Sequence, residues 1–210
     1  MAGQIMTIYT ALNSELDEYG TARLTLNRPE RHNAFNADLI AALTEAFTRL
    51  GQAGEVRAIV LKGAGKSFSA GADLDWMRAA AGWNRQENEA DALRLSDMLA
   101  AINACPKPVI VVAHGHVTGG GVGLVACADM AVAVDGTQFR LSEVRLGLTP
   151  ATISPFVMAK IGAAARRWFL TAEAFDAATA HGLGLVDEVA IYADAAEAVV
   201  AEIQAMGGMA

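Results

Sequence analysis

Cysteine is almost missing from this chain: its 210 residues hold two, Cys105 and Cys127, with no Cys-x-x-Cys pair and no Cys/His cluster at zinc spacing. That excludes a disulfide scaffold and gives no metal site, so both are read as buried thiols of a reducing compartment. Positive charge is also short. Against 23 Asp and Glu stand 16 Lys and Arg, a formal net charge of -7, so no overall field draws the chain to nucleic acid or to an anionic membrane. A polyanionic ligand would have to rely on local cations. No apolar run reaches the ~18 residues of a membrane-spanning helix. Met1 to Gln4 lack the basic start and apolar core of a signal peptide, and the expected location is cytoplasmic. Apolar residues, by contrast, make up 53% of the chain, enough to pack a core at a length that fits one domain over 1–210.

Periodicity orders the chain. Residues 5–11 and 21–27 alternate as two strands of a hairpin turning at Tyr19-Gly20, and Arg28-Pro29-Glu30 stops the second. Asn36 caps a helix over 37–50 whose apolar stripe is Leu39, Ile40, Leu43, Phe47 and Leu50, with Gly51 ending it. A strand at 56–62 runs into a small-residue loop, 63–72, and a short helix at 73–78. After the polar stretch 82–88, Leu95, Met98, Leu99 and Ile102 mark a second long helix that Pro106 and Pro108 terminate. A strand at 109–113, a glycine-rich loop at 115–121 and a helix at 121–128 repeat the strand, loop, helix order. Two such units can stack like turns of a short solenoid, which would bring their glycine loops side by side. Strands at 130–134 and 138–141 follow, then several helices up to about 206, and no linker divides the chain.

The two loops carry the chemistry. Ser69-Ala70-Gly71-Ala72-Asp73 enters a helix, so the Ala72 amide is a candidate anion donor, although such spacing also suits a plain tight turn. Gly119-Gly120-Gly121 offers a second donor, because residues without Cβ let a ligand oxygen approach the backbone; close helix packing is the competing reading. Two N–H groups aimed at one point suit an enolate-like oxygen, and one such donor is worth ~3–4 kcal/mol. Other motifs fail. Gly121-Val122-Gly123-Leu124-Val125-Ala126 fits G-x-G-x-x-A with Glu143 twenty residues beyond Gly123, yet His114–Gly120 separate it from the preceding strand. Gly65-Lys66-Ser67 lacks the earlier glycine of a P-loop, where Val60 stands, and no G-x-S-x-G elbow exists. His32, His114, His116 and His181 have no evident nucleophile partner.

Asn27-Arg28-Pro29 with Asn33-Ala34, Gly65 through Leu74, Pro106-Lys107-Pro108-Val109, the triple glycine and Glu143-Val144-Arg145-Leu146-Gly147-Leu148 stand in a fixed order and spacing. As a set they make the chain resemble the enoyl-CoA hydratase/isomerase (crotonase) family over about 5–190. The resemblance implies an α/β fold, a spiral of ββα turns, with the usual C-terminal helical extension shortened to a helix at about 194–206. It implies an acyl-CoA substrate, with the Ala72 and Gly120 amides as oxyanion hole and Glu143 as acid/base. The CoA would lie across Arg31, His32, Ala34, Ala70, Asp73 and Leu74, and Arg28, Arg31, Lys62 and Lys66 are candidates for its phosphates. No cofactor is implied beyond the CoA of the substrate, and the expected assembly is a homotrimer or dimer of trimers.

Glu143 has a plainer reading as an ion-pair partner of Arg140 or Arg145. The departure is Gly123, one helical turn after Gly120, where two-glutamate hydratases of the family carry their other carboxylate. A single-glutamate hydratase is therefore expected, with an isomerase or a catalytically silent binding protein as alternatives. The segments around Gly123, Glu143 and Ile153-Ser154-Pro155-Phe156 resemble methylglutaconyl-CoA and isohexenylglutaconyl-CoA hydratases. A glutaconyl chain carries its own carboxylate, and like charges ~4 Å apart at an effective dielectric of ~20 repel by about 4 kcal/mol. Gly123 would relieve that repulsion and is expected to open space near the β-carbon.

Overall fold

The computed structural model describes residues 9–191 and, beyond them, residues 198, 201, 202 and 205. Two strands open it, β1 (Leu12–Leu16) and β2 (Thr21–Leu26), paired antiparallel from Leu12↔Leu26 to Leu16↔Ala22. The Asp17 carboxylate sets this register by accepting the Tyr19 and Thr21 N–H groups, each at 2.9 Å. The first strand consequently lies C-terminal to the expected 5–11, of which residues 5–8 fall outside the described residues.

After a 3-10 turn at Pro29–Arg31 comes α1 (Ala37–Gln52), whose N-cap Asn36 accepts the Leu39 N–H at 3.0 Å. Its expected stripe is fully buried, at about 1.5–3 kcal/mol for each large side chain. Gly51 does not end the helix. It stays helical where an added Cβ would lie 3.0 Å from Pro106 Cδ, so a close packing contact uses the glycine. Next are β3 (Ala58–Gly63), α2 (Leu74–Ala80) and α3 (Arg85–Asn103). The polar stretch expected to precede α3 supplies its first turn, because Asn84 and Glu87 form a capping box: Asn84 accepts the Glu87 N–H at 3.0 Å and Glu87 the Asn84 N–H at 2.7 Å.

The second unit comprises β4 (Val109–Ala113), β5 (His116–Thr118) and α4 (Gly120–Cys127). Then follow β6 (Met130–Val134), β7 (Gln138–Arg140), α5 (Ser154–Ile161), α6 (Ala165–Thr171), β8 (Ala174–Asp176), α7 (Ala177–Leu183) and β9 (Glu188–Ala190). The sequence reading omits β5, β8 and β9, each three residues long and held by its neighbours rather than by an alternation of its own. Of the helix expected at 194–206, residues 198, 201, 202 and 205 are described and are helical, while Val199, Val200, Ile203 and Met206 lie outside the described residues.

The larger sheet runs β1-β2-β3-β4-β6-β9 and the smaller β5-β7-β8. From β2 to β9 every pairing in the larger sheet is parallel, and the register Leu24↔Leu61↔Val111↔Ala131 stacks one buried column through four turns of chain. This is the solenoid-like stacking expected of the repeated units, and it brings the two loops together. Among the described residues no helix is long and apolar enough to cross a membrane.

Candidate active site

Three loops meet at one end of the parallel sheet. The Phe35 N–H donates to the Gly71 carbonyl at 2.6 Å and the Asp73 N–H to the Phe35 carbonyl at 2.9 Å. Ser69 in turn pairs with the second loop, donating to His116 O at 3.2 Å and accepting the Thr118 N–H at 2.9 Å. Gly71, at φ +83, lies where an added Cβ would be 2.8 Å from Thr118 O, so a side chain there would push the loops apart. Gly119, at φ 51 and ψ -116, gives its N–H to Arg140 O at 2.8 Å and turns the chain into α4. With those groups satisfied, the Ala72 and Gly120 N–H groups have no acceptor among the described residues, and both residues line the same cleft. Gly120 is also the first residue of α4, where the helix end adds partial positive charge.

The cleft has a volume of about 420 Å³. Its walls are largely apolar, among them Phe35, Trp76, Met77, Leu95, Leu148 and Ile153. Glu143 opens a 3-10 turn, Glu143–Leu146, and among the described lining residues it is the only carboxylate. A methyl group added at Gly119 would lie 3.0 Å from Glu143 Oε1, which puts the carboxyl against the residue that leads into α4. Oε2 is buried and has no hydrogen-bond partner among the described residues. Burial pushes the carboxyl's pKa up, opposed by a hydrogen bond from its own backbone N–H. No described ion pair joins it to Arg140 or Arg145, so the plainer reading of Glu143 does not hold.

Of the residues expected to hold substrate, Ala70, Ala72, Leu74 and Gly120 line the cleft, whereas Arg31, His32, Ala34 and Asp73 are not in its walls. Arg31 and His32 are exposed outside it, and Ala34 and Asp73 are buried. Asp73 caps α2 by accepting the Asp75 N–H at 2.9 Å and pairs with Arg28 at 2.9 Å. Burial works to raise its pKa, but the Asp75 N–H, the Arg28 guanidinium and the Trp76 N–H outweigh this and hold the carboxyl below its usual range. Arg28 also donates to the carbonyl of buried Ala34, which removes it from the candidates for phosphate binding. His32, at φ 50, bonds Ser67 Oγ at 3.0 Å and accepts the Ala70 N–H on its carbonyl at 2.9 Å. Arg31 forms a half-exposed pair with Asp75 at 3.2 Å, a weak tie that another anion can displace. Lys66 is exposed and Lys62 half-buried.

Position 123 corrects an expectation. A Cβ there would lie 2.7 Å from Ile153 Cγ2 and 3.4 Å from Leu99 Cδ2, so the missing side chain leaves no open space. Ile153, 1% exposed, fills it and forms cleft wall in its place. The sequence reading used Ile153 only within a resemblance and did not place it in the cleft wall, because the packing of α5 on α4 brings it there. Phe35 was missed as well, although a Cβ at Gly120 would lie 2.4 Å from its ring, which fixes glycine at that place. Trp76 and Met77 left a signal: apolar residues on a short helix with no core of its own to enter.

The family model described as Enoyl-CoA hydratase/isomerase matches residues 17–207. Enoyl-CoA hydratase ACTT6 of Alternaria alternata is 41% identical over 190 residues, covering 90% of this chain and 61% of that protein. The chain thus spans about 60% of the length of such curated relatives. Mouse mitochondrial Delta(3,5)-Delta(2,4)-dienoyl-CoA isomerase is 37% identical over 134 residues, 59% of this chain and 40% of that protein. The crystal structure of an enoyl-CoA hydratase from Shewanella pealeana superposes with a TM-score of 0.90 at 37% identity, covering 96% of this chain and 78% of that one. The stacked parallel turns, the paired loops and these likenesses agree, and the chain belongs to the enoyl-CoA hydratase/isomerase family.

Proposed function

We propose that the protein hydrates an α,β-unsaturated acyl-CoA, with Glu143 as its single acid/base. The observation that carries this is the carboxyl of Glu143 in a cleft that also holds the Ala72 and Gly120 N–H groups, with Oε2 unpaired and both N–H groups without acceptors among the described residues. The thioester oxygen sits between the Ala72 and Gly120 amides. Glu143 takes a proton from water as the water oxygen bonds the β-carbon, and the π electrons move onto the thioester oxygen. The enolate collapses as Glu143 returns that proton to the α-carbon. Both transfers use one carboxyl, so water adds to one face of the double bond. A carboxyl held above its usual pKa by burial is the stronger base, and its acid form persists nearer neutrality. The scheme needs no cofactor beyond the CoA of the substrate.

The substrate class we favour carries a carboxylate of its own, a glutaconyl-type chain. Its support is Arg145, exposed, lining the cleft and without an ion pair among the described residues. A second reading, double-bond isomerisation, is favoured by Ile153, which leaves one carboxyl to move a proton between two carbons. Mass spectrometry separates them. Supplied with 2-enoyl-CoA, a hydratase yields a product heavier by one water, whereas an isomerase converts 3-enoyl-CoA at constant mass. Tight binding of both esters without turnover would make the chain a silent binding protein and end the proposal. We also propose a trimer-based homo-oligomer, supported by exposed Met158, Leu170 and Ile191; light scattering from a clean monomer would count against it.

A further inference from the structure

The smaller sheet has two unlike faces. Val117, Phe139 and Phe175 turn into the core, each at most 3% exposed. Strand alternation sends His116, Thr118, Gln138 and Arg140 to the other face, where they pair as His116↔Gln138 and Thr118↔Arg140. A hollow of about 270 Å³ lies there, with Ser142 and Arg145 completing its polar lining. Two arginines and a histidine line it and no Asp or Glu does, in a chain of formal net charge -7.

The arginines are available. Among the described residues neither Arg140 nor Arg145 forms an ion pair, and Arg140 Nε is buried without an acceptor. Leaving a buried guanidinium N–H unpaired is costly, and an oxyanion accepting from the guanidinium fork removes that cost. The acid on the same sheet face, Asp176 opposite Gln138, is engaged elsewhere: it caps α7, accepting the Thr179 N–H at 2.8 Å. The hollow also shares a wall with the cleft. Ser142 and Arg145 line both, and the Arg140 carbonyl holds the Gly119 N–H.

We infer that this hollow is an oxyanion subsite for a carboxylate or phosphate group. Arg140 and Arg145 are its charged donors; Thr118, Gln138 and Ser142 are the neutral ones. The group is either a free small anion or the carboxylate of an acyl chain seated in the cleft, and only the second source rests on the function proposed above.

The test has two arms on the full chain. In the first, inorganic phosphate is titrated calorimetrically in low-chloride buffer into wild type, Arg140→Gln and Arg140→Lys, with circular dichroism confirming each fold. Binding about tenfold weaker in Arg140→Gln, with Arg140→Lys between, is the expected result, since lysine keeps charge but not the fork. In the second, kcat/KM for glutaconyl-CoA is divided by that for crotonyl-CoA. A ratio that falls about tenfold in Arg140→Gln assigns the anion to the acyl chain. Weakened phosphate binding with an unchanged ratio assigns a free anion. Inactivity toward both esters would undo the proposed function but not the subsite, because the phosphate arm needs no turnover. Equal phosphate affinity in all three proteins, with the ratio unchanged or unmeasurable, overturns it.

Discussion

On one flank of the cleft Glu143 Oε2 is buried without a partner and two amides lack acceptors among the described residues; on the other, Gly123 and Ile153 meet with no room for a methyl group. The first flank is built of loops and a 3-10 turn, where the backbone has donors to spare. The second is packed side chain, with Ile153 and Leu99 closed over Gly123. Groups available for chemistry and groups that carry packing thus stand on different walls of one cleft.

Four experiments bear on this contrast. The largest effect expected is from Glu143→Gln, which keeps the shape and removes the base: hydration should fall by about 10²–10⁴ in kcat, a range typical of a general acid/base. Loss of absorbance of the conjugated thioester measures it, and a variant with full rate would remove Glu143 from the reaction. Gly120→Pro deletes one free N–H and should lower kcat by ~10²–10³, provided circular dichroism shows a folded chain. If it turns over normally, the Gly120 amide is not a donor.

The apolar flank is probed by Gly123→Glu. Its side chain must displace Ile153, and overpacking of this kind costs about 1–3 kcal/mol, to which a buried charge adds. Urea denaturation should show that loss, and Gly123→Glu combined with Ile153→Ala should recover part of it. A single variant as stable as wild type would mean the flank is not close-packed.

The smallest effect is on pH dependence. Glu143 has a raised folded pKa, so the stability associated with its neutral form is complete below the unfolded value and is lost as pH rises through the folded one. Glu143→Gln should therefore melt higher than wild type above neutrality. The gap should close in acid. A gap that instead widened as pH fell would reverse the sign of the shift.

Much of this was legible in the chain itself. The stripe of α1, its Asn36 cap, the buried strands and the repeated strand, loop, helix order follow from local periodicity and capping chemistry, which depend on neighbours a few residues away. The glycines and small residues of both loops, and the place of Glu143 after a strand, were legible for the same reason. Spacing could not tell which loop residues face the cleft, since Asp73 and Ala72 are adjacent in sequence and one turns into an ion pair with Arg28 while the other presents its amide. Nor could it show that Ile153, thirty residues from Gly123, fills the place of the missing side chain, or that Arg140 and Arg145 form no ion pair among the described residues. Local sequence determined the elements and the types of group available. Tertiary packing alone decided which of those groups remain unpaired, because a hydrogen bond or a void depends on what distant chain segments bring to it.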